Sequence, residues 1–206
     1  MLPYPFEPEP DDDSLSACYR RGNSAVYSSE YDAAITLYSE VIRRGTSAQL
    51  VVDEPDFAYL YWAFIRRGIV QSYKGDYAAA LADYEAALAL WPDSYPALRS
   101  LARFLASCPN AVYRHGERSL GYAHKICADI LDVPTGAPDF FERFDTLASS
   151  CAEVGDFDAA VKWQVKAMES LIADNPTLMK ALLPEYQSRL DLYQSWRPFR
   201  TNSSSQ

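Results

Sequence analysis

A short motif recurs three times along this chain, and it dictates a stack of helical hairpins. Its clearest copy is Gly75-Asp76-Tyr77, followed by Ala80, Tyr84, Ala87 and Pro92. A second copy runs Gly155-Asp156-Phe157, then Ala160, Gln164 and Ala167. A third keeps Tyr31, Ala34, Tyr38 and Val41. Steps of three and four residues place these side chains in one stripe on one helix face. Alanine in that stripe lets two helices approach closely, and the larger residue fills the gap beside it. Gly-Asp ends one helix and starts the next. Glycine tolerates the left-handed residue, and aspartate caps the new amino terminus. Pro92 stops the second helix, because proline disfavours the helical state of the residue before it. A single hairpin cannot bury both of its faces, so neighbours must stack.

This pattern resembles the tetratricopeptide repeat, a helical hairpin of about 34 residues. The unit Tyr61–Ser94 keeps Gly68, Gly75, Asp76, Tyr77, Ala80, Tyr84, Ala87 and Pro92, with Phe64 where the family favours tryptophan. The unit from Leu15 keeps Gly22, Tyr31, Ala34 and Tyr38 but carries Cys18 and Ser29 at two family positions. The unit from Phe141 keeps Phe144, Ala148, Gly155, Asp156, Phe157, Ala160 and Ala167. A degenerate unit begins near Tyr95, with Leu98, Leu101, Ala102 and Leu105, then Ala123 and Cys127. The resemblance covers roughly residues 15–175. It implies an all-α superhelix of about four hairpins plus a C-terminal capping helix. The last unit, the final helix and the tail are similar to a group of bacterial repeat proteins, which implies a bacterial, cytoplasmic setting.

The spacing is uneven. Extra residues separate Tyr31 from Tyr77, within Gly45–Phe57, and Ala80 from Ala123, within Ser107–Arg118. Insertions in repeat arrays map to loops, often on the binding side. Both are either connectors or recognition elements. Residues 1–13, rich in proline and acid, read as a disordered tail; residues 14–195 as the repeat domain; residues 196–206 as a flexible end. Trp196–Arg200 either folds back or docks. From Pro176 to Gln194 a stripe of Leu182, Leu183, Tyr186, Leu190 and Tyr193 marks the capping helix, with Glu185, Gln187, Arg189 and Asp191 between.

A net charge of −9 argues against a phosphate-binding surface, so no nucleic-acid partner is expected. No apolar run is long enough to cross a membrane, and the amino terminus lacks the pattern of a secretory signal. Cys18, Cys108, Cys127 and Cys151 form no CxxC pair, so no metal is expected, and because their spacings fit packing positions and no export signal is read, no disulfide is expected either. Cys18, Cys127 and Cys151 fall on packing positions, while Cys108 precedes Pro109 at a helix end and is a candidate for exposure. Cys108 with His115, or Cys127 with His124, is a conceivable nucleophile pair, but no oxyanion motif accompanies either. His115 reads as a loop residue and His124 as a helix-surface one. No cofactor motif is present.

The resemblance places the first helix of each hairpin along a concave groove. The groove positions then include Tyr19, Asn23, Trp62, Arg99 and Arg103. Trp62 is either an anchor for a partner or a cover for the neighbouring hairpin. Arg99 and Arg103 share one face. They either receive a partner's carboxylate or pair with Glu142 and Asp145 one repeat later. The reading that follows is an adaptor or scaffold that binds a partner protein or peptide in its groove. An assembly subunit, including a homo-oligomer, is the first alternative. An enzyme or enzyme-regulatory subunit is the remoter one, since its only acid cluster is Glu142, Asp145 and Glu153.

Overall fold

The structure, a computed structural model, describes residues 13–48, 54, 56–128, 140–174 and 176–201. The proposed acidic tail lies outside these residues except for Asp13, as do residues 49–53 and 55 of the first insertion and residues 202–206 of the end. Every regular element among the described residues is helical: α1 Leu15–Tyr27, α2 Tyr31–Ser47, α3 Phe57–Lys74, α4 Tyr77–Leu90, α5 Tyr95–Ser107, α6 Gly116–Cys127, α7 Phe141–Glu153, α8 Phe157–Asp174 and α9 Pro176–Gln194, with a 3-10 turn at Ala111–Tyr113.

The helix boundaries follow the local chemistry. Ser14, Asp76 and Asp156 cap α1, α4 and α8 by accepting from the amides of Ala17, Ala79 and Ala159. Gly75 and Gly155 sit at φ +84° and +87°, the left-handed conformation that closes α3 and α7. His115 caps α6, its ring nitrogen facing the Arg118 amide. It is therefore part of a helix start as well as exposed.

Consecutive helices pair as hairpins: α1 with α2, α3 with α4, α5 with α6, α7 with α8. Odd-numbered helices from α1 to α7 also touch the next odd one, α5 and α7 most closely, and contacts between even-numbered helices among the described residues are fewer. Helices that touch on one side and splay on the other generate curvature, so the odd helices form the inner face of an all-α superhelix. Helix α9 then lies against α8 and closes the series.

The recurring motif accounts for the hairpin packing. Ala34, Ala80, Ala87, Ala160 and Ala167 are fully buried. In the first two hairpins an aromatic ring lies over a glycine. A Cβ on Gly22 would stand 2.7 Å from Tyr38 Cε1, and one on Gly68 would stand 2.9 Å from Tyr84 Cε1. In the last hairpin alanine, Ala148, replaces the glycine and buried Gln164 replaces the ring. Volume moves from one side of the contact to the other, and the interior stays filled.

All four cysteines are free and buried. Cys108 is buried too, against the expectation of exposure. It joins Leu101, Phe104 and Leu105 in one apolar cluster under α4 and α5. Burial raises its thiol pKa, and that of Cys151 to about 11.

Candidate functional site

Along the inner face, α1, α3 and α5 each carry a stripe of residues that are not fully buried. On α3 the stripe is Trp62, Arg66, Ile69 and Tyr73, at steps of four, three and four residues. Trp62 and Ile69 are half-buried, Arg66 is exposed and Tyr73 is 52% exposed. On α1 the corresponding residues are Arg20, Asn23 and Tyr27, the last 90% exposed. On α5 Arg103 stands one repeat after Ile69 and Arg99 one turn before Arg103, both half-buried.

Trp62 is held edge-on to Tyr61, ring centroids 5.4 Å apart. It packs partly against two apolar clusters, one shared by α1, α2 and α3 and one by α3, α4 and α5. It thus bridges neighbouring hairpins while part of its surface stays accessible. Tyr19, placed in the groove by the sequence, is buried. Its ring lies 5.9 Å from that of Tyr38 and 5.7 Å from that of Tyr59. Asn23 is engaged as well, its amide oxygen accepting from the Tyr38 hydroxyl at 2.8 Å. Burial pushes that phenol well above its ordinary range, so it remains a donor. Tyr19 therefore bridges the first two hairpins through Tyr59, while Asn23 ties α1 to α2 within the first.

Arg99 and Arg103 reach across to α7. Arg99 Nη2 donates to Glu142 Oε1 at 2.6 Å, and Arg103 Nη1 lies 3.8 Å from Asp145 Oδ2. The main partner of Asp145 is a different residue. Arg189 of α9 directs Nη1 at both carboxylate oxygens, 2.5 Å from each. Arg189 is 2% exposed, although its place in the sequence, between the apolar positions of the capping helix, suggested solvent. Ser149 and Tyr193 lie beside the pair, hydroxyl to hydroxyl at 3.2 Å. Glu153 is flanked by two further arginines, Arg114 at 3.1 Å and Arg200 at 2.7 Å. The acid cluster Glu142, Asp145 and Glu153 is thus engaged by arginines throughout.

The inner face therefore has two halves. From α1 to α5 it offers aromatic, apolar and guanidinium groups to solvent. From α5 to α9 it is closed by the chain's own ion pairs. Sequence reasoning missed Arg66, which stands one turn from Trp62 on the same stripe. The helical step from Trp62 was the available signal.

Other surfaces offer less. Among the described residues no group of histidine, cysteine, aspartate and glutamate could hold a metal ion. No described helix is long and apolar enough to cross a membrane. An open depression of about 320 Å³ between α5, α6 and α7 is lined by Asp93, Tyr95, Lys125 and Arg143 among others, with Lys125 paired to Asp93 at 2.6 Å.

A search of curated proteins found no match. Residues 65–107 match the family model described as tetratricopeptide repeat. That segment covers most of α3, all of α4 and all of α5, and so includes Gly68, Gly75, Ala80, Tyr84 and Ala87. This match and the stacked hairpins together are consistent with a repeat protein of the tetratricopeptide type.

Proposed function

We propose that this protein holds a segment of a partner protein along the inner face from α1 to α5. Repeats of this type generally mediate protein–protein interaction, and the all-α fold is typically a non-enzymatic module. The observation that carries the reading is the stripe Trp62, Arg66, Ile69 and Tyr73, which leaves two aromatics and a guanidinium accessible at the centre of the inner face. Aromatic residues and arginine are the side chains that most often anchor interfaces. A partner's apolar side chains would cover Trp62, Ile69 and Tyr73. One partner carboxylate would meet Arg66, and another would share Arg103, whose contact with Asp145 is long. Asp145 keeps Arg189 when Arg103 turns away, so the exchange leaves no buried acid bare.

A photo-crosslinking residue in place of Ile69, with one at exposed Val165 on α8 as control, tests this in cells of the source. Protein adducts formed from position 69 and not from 165 are expected. Adducts from 165 alone, or equally from both, would contradict it.

A further inference from the structure

A second contact surface lies at the carboxyl-terminal ends of α5 and α7, and the chain fills it with its own tail. After α9 the backbone reverses at Trp196, whose φ is +57°. A bulky residue in the left-handed region is strained, and its ring is 70% exposed. The reversal is fixed by backbone hydrogen bonds, the Trp196 amide donating to the Tyr193 carbonyl and the Arg197 amide to the Leu192 carbonyl. Residues 199–201 then cross the helix ends. Phe199 lies under the Arg189 guanidinium, 4.6 Å from ring centroid to Cζ. Arg200 donates to the Ala106 carbonyl at 3.1 Å, and the Thr201 amide donates to the Ser107 carbonyl at 2.9 Å.

The acceptors explain why a cationic, extended segment fits here. The last carbonyls of a helix have no intrahelical partner and carry the negative end of its dipole. Glu153 adds a carboxylate at the end of α7. The tail nevertheless fills the cradle imperfectly. Arg200 spends part of its guanidinium on its own Phe199 carbonyl at 2.9 Å. Its Nη2 lies 2.7 Å from Glu153 Oε2, yet that oxygen is buried and receives no well-directed hydrogen bond. The distance marks an ion pair and the angle falls short of a hydrogen bond.

The geometry points to a binding site for an extended partner segment that carries an aromatic–arginine pair, with Phe199–Thr201 as its displaceable internal occupant. A partner arginine aimed straight at Glu153 would complete the bond that Arg200 leaves unmade. This site is separate from the stripe around Trp62, so either can fail without the other.

The probe is a fluorescently labelled peptide of sequence SWRPFRT, titrated by anisotropy into the full-length chain. An occupied site binds more weakly in proportion to the time it is filled. Arg200→Ala in the protein should therefore tighten peptide binding by about tenfold or more relative to wild type. Adding Glu153→Gln should remove that gain, and a peptide with its second arginine replaced by alanine should bind neither chain. As a check needing no variant, a saturating dose of peptide should speed hydrogen exchange of the Thr201 amide in the wild-type protein. Equal affinity for wild type and Arg200→Ala, affinity insensitive to Glu153→Gln, or an unchanged Thr201 amide would overturn the proposal.

Discussion

Asp145 and Arg189 form a buried ion pair that ties the capping helix to the last hairpin. Both carboxylate oxygens face one guanidinium nitrogen, and Asp145 has no exposed surface. Removing one member leaves the other buried with only a weaker partner, Arg103 at 3.8 Å for Asp145 and the exposed Glu185 for Arg189. Asp145→Ala or Arg189→Ala should each cost about 3–5 kcal/mol of stability. The paired change Asp145→Leu with Arg189→Met should cost less than either, since it buries no lone charge. Urea melts of the three variants read this directly. A double variant as unstable as the sum of the singles would show that the pair does not act as a unit.

The glycine under each hairpin aromatic gives a second expectation. A Cβ on Gly68 would also lie 3.2 Å from the Ala80 carbonyl oxygen, so the Tyr84 ring would have to shift. Gly68→Ala should destabilise by about 1–3 kcal/mol through overpacking. With Tyr84→Gln the two effects should be less than additive, because the last hairpin already uses the alanine–glutamine combination at Ala148 and Gln164. Thermal unfolding is the measurement, and strict additivity would count against the contact.

Ala80 itself allows no polar intrusion. It is fully buried where α4 meets α3. Ala80→Asp should cost about 3 kcal/mol or more, from overpacking and a buried charge together. An unchanged melting temperature would mean that the helix faces are assigned wrongly.

The thiols should be inert. Burial raises the Cys108 and Cys151 pKa, the latter to about 11, and the neutral thiol is a poor nucleophile. The Cys151 thiolate then appears only as pH climbs toward 11, and the Cys108 thiolate only above the ordinary thiol range. Near neutral pH, N-ethylmaleimide should therefore leave the native protein unmodified at these residues and label them after denaturation. Rapid native labelling, read by intact mass, would show that these sites open easily.

How far the sequence carries depends on whether a contact is local to one hairpin. Gly68, Ala80 and Tyr84 lie within one repeat, so their spacing revealed their packing. Asp145 and Arg189 do not. The rotation of the capping helix decides which of its polar residues turns inward, and the alternation along Pro176–Gln194 leaves that open. Tyr19 illustrates the other difficulty. Its helix face was read from the repeat position, but Tyr59 on α3 and Tyr38 on α2 close over it. Arg99 was legible as one of two readings, because Glu142 occupies the matching face one repeat later.

The central claim is that the stripe around Trp62 contacts a partner while the hairpin core does not. Once a partner is in hand, its affinity for Trp62→Ala, measured by calorimetry beside the melting temperature of the variant, tests this most directly. Binding should weaken by about 2 kcal/mol, as for a buried aromatic anchor. The melting temperature should fall only modestly, because Trp62 is half-buried and outside the Gly68–Tyr84 contact. Arg103→Ala should weaken binding more at low salt than at high salt. If Trp62→Ala unfolds the protein while each folded molecule binds as before, the tryptophan only joins hairpins and the inner face is not the contact surface.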